Sequence, residues 1–175
     1  MVRFALGVVA ALVIFGLGGL AIVNFGLFDA RASTPHSPWF AWATHSTMIN
    51  RSKREAGKAA APARFTPAEM RAGFVLYDHD CAMCHGGPGL GRARFVQGMN
   101  PSPPYLLGVA RTWSPSRLHW IIGNGVKMTG MPAWNAAYTD GQVWDTVAFL
   151  EALPYLSPAD YQRMKQQSAG KGGGG

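Results

Sequence analysis

The spacing of apolar residues changes along the chain and separates three regions. Residues 4–28 form a run of 25 without a charged side chain. A helix of that length, at about 1.5 Å per residue, crosses a hydrocarbon core of about 30 Å. Residues 31–64 then mix aromatic, small and basic side chains, and from Phe65 onward apolar residues recur at helical spacing. The pattern predicts a membrane helix, a connecting segment and an all-helical domain.

A cleaved signal peptide is the alternative to a permanent N-terminal anchor. Ala30 and Ala32 fit the small-residue pattern of a cleavage site, but the apolar core of a signal peptide usually has only about 7 to 15 residues. The length therefore favours an uncleaved transmembrane anchor over residues 1–30. Arg3 and Arg31 flank the apolar run equally, so counting basic residues does not decide its orientation.

Residues 31–64 are predicted to be a basic juxtamembrane segment. Ser37 and Pro38 fit the N-cap and first position of a helix. One face of this helix would carry Trp39, Trp42 and Ile49. Tryptophan suits the headgroup level of a membrane, so the helix either lies on the membrane surface or docks another membrane subunit, and the sequence favours neither. Residues 56–64 have the composition of a linker.

Four helix starts divide the rest of the chain. Thr66 precedes Pro67, and Glu69 follows three residues after Thr66, which gives a full capping box. The other starts lie at Ser114, Thr139 and Pro158. Between the first two helices, residues 86–108 are rich in glycine and proline and show few strand signals. A stretch of this length needs something to pack on, which a large bound cofactor would supply.

The net charge of +7 is not carried by the predicted domain. Residues 65–156 contain six basic and six acidic residues, whereas residues 31–64 contain six basic residues and one acid, Glu55. The domain therefore lacks the basic, aromatic-interleaved composition typical of nucleic-acid-binding domains. No nucleic-acid partner is expected.

The two cysteines of the chain, Cys81 and Cys84, are separated by two residues, and His85 follows directly. This spacing is that of c-type haem attachment, in which two thiols add to the two vinyl groups of the porphyrin and the histidine ligates the iron. A thioredoxin-like redox pair would need a βαβ setting, and a zinc site would need two further clustered ligands. The motif predicts one covalent haem c with His85 as an axial ligand.

Three stretches carry a family resemblance: GFVLYDHDCAMCH, then NGVKMTGMPAW and VWDTVAFLEALP downstream. Together they resemble class I monohaem c-type cytochromes of the membrane-anchored bacterial type, similar to cytochrome c subunits of respiratory oxidases and dehydrogenases. The resemblance implies an all-α class I cytochrome c fold around one covalent haem, after a single N-terminal transmembrane helix and a juxtamembrane helix. The expected organisation is an anchor at 1–30, a basic segment and linker at 31–64, the cytochrome c domain at 65–157, and a short helix with a flexible tail at 158–175.

The resemblance places the sixth iron ligand at Met131, in the stretch TGMPAW. Thioether sulfur is a soft ligand, and methionine–histidine ligation raises the reduction potential of haem. Met128 is the main rival and Met99 a poorer one. A bis-histidine site through His79 or His119 has no motif behind it.

Supporting roles also follow from the resemblance. Gly73 would allow the first helix of the domain to cross the C-terminal one closely, with Phe149 as a partner. The backbone carbonyl of Pro104 would accept a hydrogen bond from the second ring nitrogen of His85, although an ordinary loop proline would fit equally well. Trp134 would contact the haem propionates or pack in the core.

The function implied by the resemblance is electron transfer rather than catalysis, because two axial protein ligands leave the iron no open position. The expected partners are the membrane and redox proteins such as an oxidase, a quinol-oxidising complex or a dehydrogenase. The protein would be a membrane-tethered shuttle in a bacterial respiratory chain or a fixed subunit of a membrane oxidoreductase complex. A haem gas sensor is a third alternative, which requires that Met131 is not bound to the iron. The resemblance also places the haem domain on the periplasmic side of the inner membrane.

Overall fold

The computed structural model describes residues 1–169, the side chain of Ala110 excepted, and divides into two compact units. The first unit, Met1–Thr34, contains helix α1, Val2–Asn24, followed by turns. The mean hydropathy of α1 reaches 2.6, and none of its residues is buried, so by length and composition it is able to cross a membrane. A secretory signal sequence would pass the same test.

The second unit begins at Pro35 and is helical. Its α-helices are α2 Pro38–Ala56, α3 Pro67–Leu76, α4 Ala82–His85, α5 Pro115–Asn124, α6 Asp140–Ala152 and α7 Pro158–Ala169. A π-helical turn joins α3 to α4, and short 3₁₀ turns occupy Arg94–Gly98, Leu106–Arg111, Trp134–Ala136 and Leu153–Tyr155. Within residues 1–169 the only β-pairing is an isolated bridge between Gly87 and Leu90. The predicted all-α class is confirmed.

Side-chain caps begin three of these helices, and the one before α7 pairs Ser157 with Asp160, whose backbone N–H donates to the Ser157 hydroxyl at 3.2 Å. The Thr66 hydroxyl accepts from the Glu69 backbone N–H at 3.2 Å, and the Glu69 carboxylate accepts from the Thr66 N–H at 2.6 Å, which is the predicted capping box. Thr139 and Gln142 form the same pair at the start of α6. Ser114 makes no such side-chain bond at the start of α5. There the proline at the first helical position fixes φ instead.

The core of the second unit lies where α3 crosses α6. Gly73 is buried at the crossing and leaves no room for a side chain, as predicted. Beside it, the rings of Phe74, Phe149 and Tyr161 meet edge to face, with centroids 5.2 to 6.4 Å apart. This aromatic cluster joins α3, α6 and α7 directly before the segment that carries the cysteines.

The packing of α2 against α5 is a contact that the sequence analysis missed. Ser52, on α2, is fully buried. Its surroundings include Arg117 of α5, which is 65 residues further along the chain. A buried serine inside a basic, polar stretch gives no periodic apolar signal, so the pattern of the sequence could not show it.

The structure adds detail at the two ends of the domain. The first helix of the domain reaches Cys81 as predicted, but its last five residues, Tyr77–Cys81, widen into a π-helical turn. Such turns occur frequently at functional sites. At the other end α7 begins at Pro158 as predicted. The flexible tail predicted at the C-terminus falls in residues 170–175, which lie outside the described part of the chain.

Candidate functional site

The two cysteines lie on consecutive helical turns. Cys81 ends the π-helical turn, and α4 carries Cys84 and His85 as its last two residues. Both cysteines are free and partly buried. Burial raises the pKa of the Cys81 thiol to about 12. A thioredoxin-like pair needs a lowered thiol pKa, so this environment does not favour that alternative.

Three tyrosine hydroxyls hold the segment around the cysteines. The pairs are Tyr77 donating to the Gly86 carbonyl oxygen at 2.7 Å, Tyr161 donating to the Asp78 carboxylate at 3.0 Å, and Tyr138 donating to the Asp80 carboxylate. Burial, together with the nearby carboxylates, raises the pKa of Tyr138 and of Tyr161, so both hydroxyls remain protonated donors. The sequence pattern does not indicate that Tyr138 and Tyr161 are donors to this segment, because they lie 58 and 83 residues from their partners.

The imidazole of His85 is oriented by the backbone of Pro104. Its Nδ1 atom lies 2.8 Å from the Pro104 carbonyl oxygen, as predicted. Because a carbonyl oxygen only accepts, Nδ1 carries the proton and Nε2 keeps a lone pair. Burial lowers the pKa of His85. The hydrogen bond to Pro104 acts to raise this pKa, and the positive charge of Arg92 acts to lower it further. The site therefore presents a neutral imidazole whose Nε2 is able to ligate a metal.

Arg92 holds the loop that supplies this carbonyl oxygen. Its guanidinium group donates to the Pro103 carbonyl oxygen at 2.5 Å and to the Ser102 hydroxyl at 3.3 Å. The same group lies 4.2 Å from the ring centroid of Tyr105, a cation–π contact. Arg92 thus contacts the residues on both sides of Pro104. This role of Arg92 could not be predicted from the sequence, because an arginine in an irregular loop belongs to no periodic pattern.

The chain turns away from His85 at Gly86, where a side chain does not fit. Gly86 has a φ of +70°, in the left-handed region that favours glycine. A Cβ atom there would lie 3.0 Å from the Leu90 carbonyl oxygen and from the Tyr105 ring. The close approach brings the loop that contains Pro104 against the end of α4.

Met131 lies in a loop that its own backbone closes. Its N–H donates to the Thr129 hydroxyl at 3.1 Å, and its carbonyl oxygen accepts from the Val126 N–H at 3.2 Å. A Cβ atom on Gly125 would lie 2.5 Å from the Pro132 backbone, so the two ends of the loop are in tight contact. The Met131 side chain is partly buried against the core.

The rival ligands are placed differently. Met128 has a φ of +62° and is 60% exposed. Met99 is half-buried, with its methyl group against the glycine that precedes Met131. His79 and His119 each have a ring nitrogen 2.8 Å from a carboxylate oxygen. Met99 therefore lies beside the Met131 loop, Met128 faces solvent, and the two histidines are engaged elsewhere.

Trp134 follows the Met131 loop and stacks on Tyr138, with ring centroids 5.0 Å apart and an interplanar angle of 23°. It is partly buried against the core. Because the Tyr138 hydroxyl binds Asp80, the stack connects the Met131 loop to the cysteine segment.

The donor groups of the site fit haem c. They are two thiols one helical turn apart, an imidazole with Nε2 available, and a thioether on a closed loop. This set is the one that attaches haem c and ligates its iron from both sides. The core is also bordered by partly buried apolar side chains, among them Leu90, Leu106, Val109 and Trp113. The incomplete burial agrees with the thin core expected of a domain that packs around a cofactor.

Comparison with known families supports this fit. Residues 68–150, which are 83 of the 175 residues, match the family model described as cytochrome c oxidase, cbb3-type, subunit III. This part of the chain is a class I c-type cytochrome domain, as predicted, and such a domain implies haem c and haem-based electron transfer. No curated protein matches the chain.

Proposed function

We propose that this class I c-type cytochrome domain binds one haem c covalently and carries single electrons in a bacterial respiratory chain while residues 1–30 tether it to the membrane. The observation that carries the proposal is the placement of His85. The residue directly follows the Cys81–Cys84 pair, and its Nδ1 atom is held by the Pro104 carbonyl oxygen. When bound, haem c supplies one-electron oxidation and reduction of its iron.

Each site residue has its own role in binding haem c. Cys81 and Cys84 would hold haem c through one thioether bond each. His85 would ligate the iron through Nε2, and the Pro104 carbonyl oxygen sets the tautomer and orientation of its ring. Met131 would supply the second protein ligand of the iron through its thioether sulfur.

The choice of Met131 over Met128 is supported by their surroundings. The Met131 side chain packs against the core, and its backbone closes the loop, whereas Met128 is 60% exposed. Trp134 supports the same loop by stacking on Tyr138. With His85 and Met131 both bound to the iron, oxygen and substrates would have no place to bind. The domain therefore acts as a carrier and not as an enzyme or a gas sensor.

The membrane tether is supported by α1, which is long and apolar enough to span a bilayer. A single-pass anchor with Arg3 on the cytoplasmic side would place the haem domain on the periplasmic face of the inner membrane. Tethering raises the effective concentration of a carrier near membrane-bound donors and acceptors. The partners would be an oxidase, a quinol-oxidising complex or a dehydrogenase.

A second candidate function is that of a fixed subunit in a membrane oxidoreductase complex. The description of the matching family model, which names a subunit of a cbb3-type oxidase, favours it. Electron transfer through the haem is the same in both cases. They differ in whether the protein leaves its partner between transfers.

Purification of the full chain from membranes in a mild detergent distinguishes the two functions. A shuttle purifies alone, whereas a fixed subunit retains partner chains in constant stoichiometry. In either case the reduced protein should show a c-type α-band, titrate as a one-electron couple, and not bind carbon monoxide. Binding of carbon monoxide without any mutation would contradict the closed iron site. Recovery of the protein in the soluble fraction would contradict the tether.

A further inference from the structure

One face of α2 is fixed to the folded domain. Ser52 is fully buried, and its hydroxyl accepts from the guanidinium group of Arg117 at 3.2 and 3.3 Å. That guanidinium group also lies 4.3 Å from the ring centroid of Trp113. The buried serine and the charged donor attach α2 to α5, so α2 belongs to the domain and not to a loose connection.

Another face of α2 presents large apolar side chains to solvent. Trp39 is 71% exposed and Trp42 is 70% exposed. At 100° per residue, the two tryptophans, Asn50 and Lys53 lie within an arc of about 80° around the helix axis. The centre of this arc is about 120° away from Ser52. The contact with α5 therefore leaves this face uncovered.

The side chains of the uncovered face are complementary to an anionic membrane surface. Tryptophan is enriched where water meets lipid, because its ring is apolar and its N–H is polar. Lys53 and Arg54 lie towards the other end of the same helix and are exposed. Glu55, the one acid of residues 31–64, is paired with Arg51 at 3.1 Å and with Lys58 at 2.7 Å. Six basic residues against this one acid leave the segment with a net charge of +5. Basic residues near an anionic bilayer are attracted to its surface.

The length of the chain keeps this face close to the bilayer. Thirteen residues, 25–37, separate the end of α1 from the start of α2. Fully extended, they span at most about 45 Å. If α1 is in the membrane, the start of α2 lies within about 45 Å of the end of α1.

We propose that the exposed face of α2, defined by Trp39, Trp42, Asn50 and Lys53, binds the surface of an anionic phospholipid membrane. This inference rests on the proposed tether. Because the same helix is attached to α5, binding holds the cytochrome domain at the bilayer with one side turned to the lipid. The flexible part of the tether is then residues 25–37, and not the linker after α2.

Spin labelling of the full-length haem protein in lipid nanodiscs tests the proposal. The natural cysteines are consumed by haem attachment, so a cysteine introduced by Asn50→Cys gives a single label on the proposed face. Gln162→Cys, on an exposed position of α7, gives the matched control. Each spectrum is compared with that of the same sample without the relaxing agent, so the constant contribution of the haem iron cancels. In nanodiscs that contain phosphatidylglycerol, the label at position 50 should lose contact with an aqueous nickel chelate and gain contact with oxygen, while the label at position 162 should not.

Two further measurements identify what protects position 50 from the chelate. The double variant Trp39→Ser, Trp42→Ser, combined with Asn50→Cys, should restore contact with the chelate, and nanodiscs of phosphatidylcholine alone should restore part of it. Equal chelate contact at positions 50 and 162 in the anionic nanodiscs would overturn the proposal while leaving the tether intact. Protection of position 50 in detergent by a co-purifying protein would also overturn it. Failure of the chain to enter nanodiscs would overturn the tether and this inference together.

Discussion

The backbone of Gly73 lies so close to Asp145 that a Cβ atom on Gly73 would be 1.8 Å from the Asp145 carbonyl oxygen. The two residues mark the crossing of α3 and α6, around which the core is built. Cys81 follows Gly73 by eight residues on the same continuous helical segment. The position of the first thiol therefore depends on a glycine about two helical turns before it.

Gly73→Ala should force the two helices apart. The added methyl group has no space, and overpacking of this kind should lower the free energy of unfolding by at least about 2 kcal/mol. Urea unfolding followed by far-ultraviolet circular dichroism measures this loss. Gly141→Ala is the matched control, because a Cβ atom there would meet only the Thr139 hydroxyl, at 4.0 Å. It should be neutral or stabilise α6 by up to about 1 kcal/mol. Equal losses in the two variants would contradict the tight crossing.

Met131→Ala should leave one coordination position of the haem iron open. Removal of the thioether should lower the reduction potential by on the order of 100 mV, a part of the roughly 0.8 V range that axial ligands span. The reduced variant should also bind carbon monoxide. Met128→Ala should change neither property, because the Met128 side chain is exposed. Carbon monoxide binding by the Met128 variant alone would reassign the ligand.

Arg92 should influence the haem potential through His85. Arg92→Met removes the donors that hold the loop around Pro104, which should cost about 1.5 kcal/mol or more of stability. It should also shift the reduction potential and the proton resonances of the His85 ring. Arg92→Lys keeps the charge but not the planar donor group, so it should restore these properties only in part. Complete restoration by lysine would show that charge alone is responsible. Arg94→Met, at an exposed neighbouring arginine, is the control for the loss of one charge.

The features that the sequence predicted are local ones. The capping box of Thr66 and Glu69, the start of α7 and the Cys-x-x-Cys-His spacing each depend on residues a few positions apart. Their geometry is dictated by the backbone of one helix or turn, so a short stretch of sequence contains the whole signal. The His85–Pro104 bond spans 19 residues, and the family resemblance rather than any pattern predicted it.

The features that the sequence did not predict join polar residues far apart in the chain. Arg117 with Ser52 and Tyr161 with Asp78 are hydrogen-bonded pairs separated by 65 and 83 residues. A polar pair of this kind has no periodicity, and each member alone resembles an ordinary surface residue. Packing of the helices has to be known before such a pair is recognised.

Glu151 should make stability depend on pH. Burial raises the pKa of its carboxyl group, and its Oε1 atom is buried without a hydrogen-bond partner. A raised pKa in the folded state means that the charged form destabilises the fold above that pKa, and that the penalty is absent below the unfolded pKa of about 4.3. Glu151→Gln should therefore raise the urea midpoint at pH 7 and make no difference near pH 3.5.

Glu69→Gln is the matched comparison and should have the opposite sign. Hydrogen bonds from the Thr66 backbone and hydroxyl lower the pKa of Glu69, so its charged form stabilises the fold above the unfolded pKa. The variant should lower the midpoint at pH 7, and the difference should disappear as the pH falls through the folded pKa. Midpoint shifts of the same sign in both variants would contradict these assignments.

Every role proposed for the site depends on covalent attachment of haem through Cys81 and Cys84, which intact mass spectrometry after denaturation and thiol alkylation measures. The chain has only two cysteines. We expect a mass increased by one haem, no alkyl adducts, and colour that remains with the protein after extraction with acidified acetone. A mass without haem that carries two alkyl groups, with the colour in the acetone, would contradict it.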